Sequence, residues 1–320
     1  MYKLTQDTQG LIWCLVFVIL DSVQAVYFGS ILQKQDAFLV GGLVFGISSL
    51  CCFIWTFLFD REQVGVARDN IKLSIGLGFT TAGAWITYFY AIQLIEPAIA
   101  FAILCGLVPL VTIVAAKLNY PEAHSARNRM EAVGNLIIFT GLLYLSAMTL
   151  YGWSGFVRGG IEIAALGILS AIVSGSLFAL MLLYGQRLNT KGLKPIAQFG
   201  TRYPIYTLLA VIGYYMGLDA KAPTAINETM IVVFLGFFLL AFPIYAVQKA
   251  VSLTTALTIG SLAATAPVFI FILQLLEGRV QYSGATFTGL VIYFAGAILA
   301  GVGTAKAVVL EKQKNRLQNA

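Results

Sequence analysis

Ten long apolar segments follow one another along this 320-residue chain, at roughly 9–32, 36–59, 70–94, 96–118, 130–150, 160–186, 194–217, 228–249, 252–276 and 284–308. A helix of about 20 mostly apolar residues crosses a hydrocarbon core ~30 Å thick. Inside lipid, every backbone amide must find its partner within the protein, so such segments are helices. The short alternating strands of a membrane β-barrel are absent from the pattern. Charged residues make up 11% of the chain and hydrophobic ones 59%, with a mean hydropathy of +0.86; a soluble domain carries about 25% charged residues. A soluble enzyme, a disordered chain and a nucleic-acid-binding module are thereby excluded. Ten spans take about 200 residues, so no large domain fits outside the membrane. The expected fold is an all-α polytopic membrane protein with ten transmembrane helices.

Charge gives the orientation. If the helices alternate, the side of the N-terminus carries fifteen Lys and Arg residues, among them Arg61, Arg127, Arg187 and Lys306. The other side carries four, Lys34, Arg158, Lys221 and Arg279, and Arg202 is left inside the seventh helix. Positive charge concentrates on the cytoplasmic side, which places both termini in the cytoplasm of a multi-pass protein of the cell inner membrane. The net charge of +6 is accounted for by topology, with no nucleic-acid partner. Cys14, Cys51, Cys52 and Cys105 all fall in apolar runs and are expected as buried small hydrophobes. One histidine, His124, in a polar loop gives no basis for a metal site.

A faint duplication is also legible. Shifting the chain by 158 residues sets Pro109 on Pro267, each deep in an apolar segment, and Ala98 on Ala256; with a three-residue adjustment, Gly134–Gly141 falls on Gly289–Gly296. Two halves of five helices follow, residues 1–151 and 152–310, ahead of a cytoplasmic tail at 311–320. Five is odd, so the second half enters the membrane from the opposite side. Such inverted repeats are the usual architecture of alternating-access carriers, with the binding site near the midplane.

Two blocks carry a family likeness. Tyr90-Ala91-Ile92-Gln93-Leu94 is followed by Ala98 through Leu107-Val108-Pro109-Leu110, and Tyr245-Ala246-Val247 by Ala256 through Ala266-Pro267-Val268, with Leu276-Glu277-Gly278-Arg279 closing the ninth segment. In these blocks, and over essentially its whole length, the chain resembles the drug/metabolite transporter superfamily in its ten-helix EamA-type branch. Asn119 stands where that family carries an acid, and Arg202 pairs with Val44 in the repeat. The resemblance implies a basket of helices around a central cavity, lined mainly by helices 1, 3, 4, 6, 8 and 9. It also implies movement of small organic solutes, most often outward.

Asp21 is the sharpest single feature. It lies about 18 Å into the first helix, near the bilayer midplane. A carboxylate there is costly unless it is protonated, paired or facing water. Trp13, Phe17, Gln24 and Phe28 share its face at helical spacing. That set suits an amphipathic ligand or a proton that comes and goes; a structural hydrogen bond to a neighbouring helix is the alternative. In the third helix Trp85 and Tyr88 share a face with Thr81, and in the eighth Tyr245 and Gln248 do; these are walls for an aromatic or cationic solute, or ordinary packing. Ser170, Ser174, Met181 and Tyr184 form a comparable face on the sixth. In the ninth, Thr254, Thr258, Ser261 and Thr265 present hydroxyls to a cavity or allow close helix packing. Pro109 and Pro267 permit hinge-like bending. Arg202, roughly 10 Å deep, is expected to snorkel to the interface, with an anionic substrate group as the rival partner. Glu96 and Glu162 read as acids placed at helix starts by the helix dipole.

No phosphate-cradling loop, HExxH or CxxC motif occurs, so neither direct ATP hydrolysis, an enzyme activity nor a cofactor is expected. The reading is a secondary transporter, an exporter of small amphipathic metabolites such as amino acids, facilitative or proton-coupled. Its substrate is a small molecule, its surroundings the lipid bilayer, and it works as a monomer or weak homodimer. The alternatives are an importer of nucleotide-like or cofactor-like solutes, and a lipid flippase or intramembrane enzyme.

Overall fold

The computed structural model describes residues 6–222, 224–253 and 262–318. They are almost entirely helical, and no β-strand forms among them; Ile95 and Val157 make a single isolated bridge. The helices are α1 (Gln6–Ile31), α2 (Ala37–Phe59), α3 (Glu62–Asp69), α4 (Ile71–Leu94), α5 (Pro97–Lys117), α6 (Arg129–Leu150) and α7 (Ile161–Thr190), then α8 (Pro195–Arg202), α9 (Pro204–Tyr215), α10 (Ile226–Gly236), α11 (Phe242–Leu253), α12 (Ala266–Glu277) and α13 (Gly284–Gln318). A π-helical turn, Phe237–Ala241, joins α10 to α11.

Seven of these stretches are long and apolar enough to cross a membrane: α1, α2, α5, α6, α7, the continuous run Ile226–Ala250 and the first part of α13. The protein is an all-α polytopic membrane protein. Large apolar side chains point outward along the bundle, including Phe59, Leu143 and Phe234. Such a surface is tolerable in lipid and would drive aggregation in water. Cys51 belongs to it: the thiol expected to be buried is exposed on α2, whereas Cys14 is buried and Cys52 and Cys105 are half-buried.

Two segments that read as continuous are broken, each at a proline. The 194–217 run divides at Tyr203, because Pro204 has no N–H for the carbonyl of Gly200 and starts a new helix instead. Ser49 Oγ of α2 donates to that carbonyl at 3.1 Å, satisfying the group the proline leaves without its usual partner. Gly200 is needed at this crossing, since a Cβ there would lie 2.9 Å from Phe53 N. In the 252–276 run, Pro267 does not sit deep in a helix as the spacing suggests; it occupies the first turn of α12, a twelve-residue helix that follows a turn at 264–265. The π turn lies immediately before Pro243, where the missing donor widens the coil and Phe242 N reaches back to Phe237 O.

The closest helix seams are α6 on α13, α4 on α7, α5 on α7, α1 on α11, α1 on α12, α2 on α8 and α9, and α5 on α12. The α6–α13 seam brings main chain against main chain. A Cβ on Gly134 would stand 2.3 Å from Ala300 N, and one on Gly296 would stand 2.7 Å from Ile138 N.

Candidate functional site

A cavity of about 520 Å³ occupies the centre of the bundle. Its lining follows α7 from Ser174 to Gln186, about 18 Å at 1.5 Å per residue. At one end, called the near end, it reaches Glu122, His124 and Arg127 of the polar segment between α5 and α6. No described residue of the connections at the opposite, far end contributes to it. The walls come from α1, α4, α5, α7 and α11, with Ala263 and Ala264 ahead of α12. Unexpectedly, α6 and α13 also take part, through Asn135 and Tyr293 among others.

Asp21 stands at the deep part of this space beside Phe17, Trp85, Tyr88 and Phe101. It is 7% exposed, and among the described residues no donor or cation is within bonding reach of its carboxylate. The Tyr88 ring meets Trp85 edge-on at 5.6 Å and Phe101 at 6.3 Å. Its hydroxyl donates to Gln24 Oε1 at 3.3 Å, which makes Gln24, itself off the cavity, a positioning contact for Tyr88. Ser174 and Met181 of the sixth segment's face line the cavity; the Ser174 hydroxyl is taken by Ala84 O at 2.8 Å. Pro109 lines it too, inside α5, where its missing N–H leaves the Cys105 carbonyl without the usual i+4 donor.

Several expected wall residues lie elsewhere. Tyr245 packs edge-on against Trp13 at 6.0 Å, away from the cavity. Arg202 does not snorkel: it is 3% exposed, and Nε donates to Thr81 Oγ1 at 3.3 Å. The Gln248 amide, set with its oxygen toward the guanidinium, accepts from Arg202 Nη1 at 3.2 Å and donates to Pro195 O at 3.3 Å. The side chain finds polar partners sideways, on α4 and α11, in place of water. Thr254, Thr258 and Ser261 lie outside the described residues, and Thr265 donates to Leu262 O at 2.6 Å.

The far end holds what the sequence concealed. Glu96 is fully buried, and its carboxylate collects donors from three separate parts of the chain. Gln274 Nε2 of α12 binds Oε1, while Gly155 N and Thr286 Oγ1 each reach Oε2 at 2.8 Å. Gln274 Oε1 in turn accepts from Ala98 N at 3.2 Å, capping α5. A residue assigned to the helix dipole alone thus ties α5, α12, α13 and the 151–160 connection into one knot. Nearby, Lys221 bonds Asp219 and donates to Gln93 Oε1 at 3.1 Å, and Asp219 Oδ2 accepts from Ala37 N at 2.9 Å. Arg279 lies 3.7 Å from Glu277 with its guanidinium over the Phe156 ring at 5.2 Å; burial lowers its pKa, and Glu277 opposes that shift. The near end, by contrast, carries exposed Arg127 and His124 and, among the described residues, two ion pairs, Arg187 with Glu122 at 3.7 Å and Lys194 with Asp60 at 2.6 Å.

No family model matches the sequence, and no curated protein does. Solved structures do match. Among 17 such chains, one described only as "Crystal structure of protein" is 19% identical, with a TM-score of 0.62 over 95% of this chain and 99% of its own. The fold has a solved counterpart. At that identity the likeness concerns the path of the chain and says nothing of substrate.

Proposed function

We propose that the protein is a secondary transporter of the ten-helix EamA type, moving small amphipathic solutes outward across the inner membrane by alternating access. The observation that carries this reading is a cavity whose described lining reaches the polar connections at one end, with a carboxylate in its depth that has no partner among the described residues. On this reading the site is reached from the near end, and the Glu96 knot holds the far end shut. Transport would exchange those two conditions around Asp21, whose carboxylate either orients the solute or takes up the counter-moving proton. Trp85 and Tyr88 give the solute its apolar walls, and Pro109, the π turn and the break at Tyr203 supply bending points.

The helix neighbours support the inverted repeat. Number the ten segments in order and exchange each with the one five places on. The pair 3–6 then becomes 8–1 and the pair 4–6 becomes 9–1, while 2–7, 5–10 and 4–9 map onto themselves; all of these are packed pairs. Gly134–Gly141 and Gly289–Gly296, matched in the sequence, face each other across the α6–α13 seam. With the 15-to-4 division of basic residues, the near end is cytoplasmic and so are both termini. A nucleotide-like solute has less support, because the buried Arg202 lies off the cavity.

The test is uptake of a pooled metabolite mixture into proteoliposomes, with and without an imposed pH gradient, for the native protein and Asp21→Asn. Accumulation that follows the gradient and disappears in the variant is the expected result for a proton-coupled carrier. Gradient-independent flux would make the protein a facilitator, and absence of flux for every soluble compound would overturn the reading.

A further inference from the structure

The charges around the cavity are unevenly placed. Glu122, His124, Arg127 and Glu131 all belong to its near end, where Glu131 accepts from Arg127 N at 2.8 Å and Glu122 faces Arg187. Beyond them, Asp21 is the one formal charge among the described lining residues, and it is negative. The buried cation Arg202 is turned onto Thr81 and Gln248 and does not line the cavity. A solute carboxylate at this depth would therefore meet a like charge and no cation, in surroundings where unpaired charge is costly. An ammonium group would meet Asp21 together with the rings of Trp85, Tyr88 and Phe101, whose faces attract cations.

We propose that the cavity binds a monocationic amine on an aromatic or apolar body, without a carboxylate, and that Asp21 is its counter-charge. Zwitterionic amino acids are thereby poor ligands, although their decarboxylated amines are good ones. The volume of 520 Å³ accommodates such a molecule, falling within the range of about 300–1,000 Å³ for small-molecule sites. Asp21 both selects the charge and holds it; the aromatic walls accept different bodies. For its consequence in transport this inference rests on the transporter reading, but binding itself does not require it.

The experiment is equilibrium binding to the purified protein in detergent, using two matched series: phenethylamine, phenylalanine and 3-phenylpropionate, and tryptamine, tryptophan and indole-3-propionate. The amines are expected to bind saturably, with the amino acids and acids weaker by about thirtyfold or more, the scale of an uncompensated buried charge. Asp21→Asn should lose amine binding by a similar factor while Asp21→Glu retains it, which separates lost charge from lost folding. The proposal is overturned if the amino acids bind as well as the amines, if Asp21→Asn binds amines normally, or if neither amine binds at about 10 mM, above ordinary KM values. Flux in proteoliposomes distinguishes the two readings. Amine binding without any flux would remove the transporter and leave the site; amino-acid flux without amine binding would do the reverse.

Discussion

Replacing Glu96 with Gln tests the far-end closure directly. The carboxylate accepts Gln274 Nε2 on one oxygen, and Gly155 N and Thr286 Oγ1 on the other. An amide has one oxygen to offer, so its NH2 must face either Gln274 or Gly155. Gln274 cannot turn to accommodate it, because its own oxygen holds Ala98 N. The Thr286 hydroxyl can rotate, but the Gly155 N–H cannot. One donor is thus left facing another in a buried site, at a cost of about 1–3 kcal/mol. That cost falls on the conformation in which the knot is tied and is relieved when the far end opens to water. The equilibrium between the two forms should accordingly move by about 5- to 150-fold toward far-side opening. Cys105 is a native reporter, since it lines the cavity and is half-buried. With Cys14, Cys51 and Cys52 replaced by Ala, an impermeant thiol reagent applied from the far side should label Cys105 faster in the variant by that factor. An unchanged far-side rate in a protein that still melts cooperatively would refute the assignment of Glu96 as a closure.

Three further outcomes are expected. Gly134→Ala should lower thermal stability in detergent by about 1–3 kcal/mol or more, the scale of overpacking, because the main chain of α13 stands where the methyl group must go; an unchanged melting temperature would show that the seam can spread. Ser49→Ala should cost about 1 kcal/mol in the same assay by leaving the Gly200 carbonyl unpaired, whereas a neutral result would show that this carbonyl finds another donor. Arg202→Met should leave stability within about 1 kcal/mol or raise it, since the buried guanidinium has no acidic partner among the described residues; loss of solute binding in that variant would instead return Arg202 to the site.

The helical spans were legible because lipid imposes one demand, internal hydrogen bonding, on every residue that enters it. Asp21 was legible for a related reason: the rise per residue converts position in a helix directly into depth. Depth is not direction, however. The same arithmetic that found Arg202 could not say that it turns toward Thr81 rather than toward water, because that depends on how α8 is rotated against α4. The break at Tyr203 was hidden by the ordinariness of proline in membrane helices; only the Ser49 bond to Gly200 shows how the interruption is made good. Glu96 was hidden most completely. Its donors at positions 155, 274 and 286 are distant in sequence, and no local pattern distinguishes a glutamate that starts a helix from one that ties four segments together.

The α6–α13 seam has a mechanical consequence. Because Gly134 and Gly296 bring backbone onto backbone, the two helices have no layer of side chains at that crossing through which to slide, and rotamer changes there cannot absorb a shift between them. They should move as a single strut. Asn135 and Tyr293, carried on that strut, give the cavity one wall of fixed geometry, so any change of access must come from the helices facing it. A pair of spin labels placed on α6 and α13 should then keep a single sharp distance in conditions where labels on α1 and α7 report two.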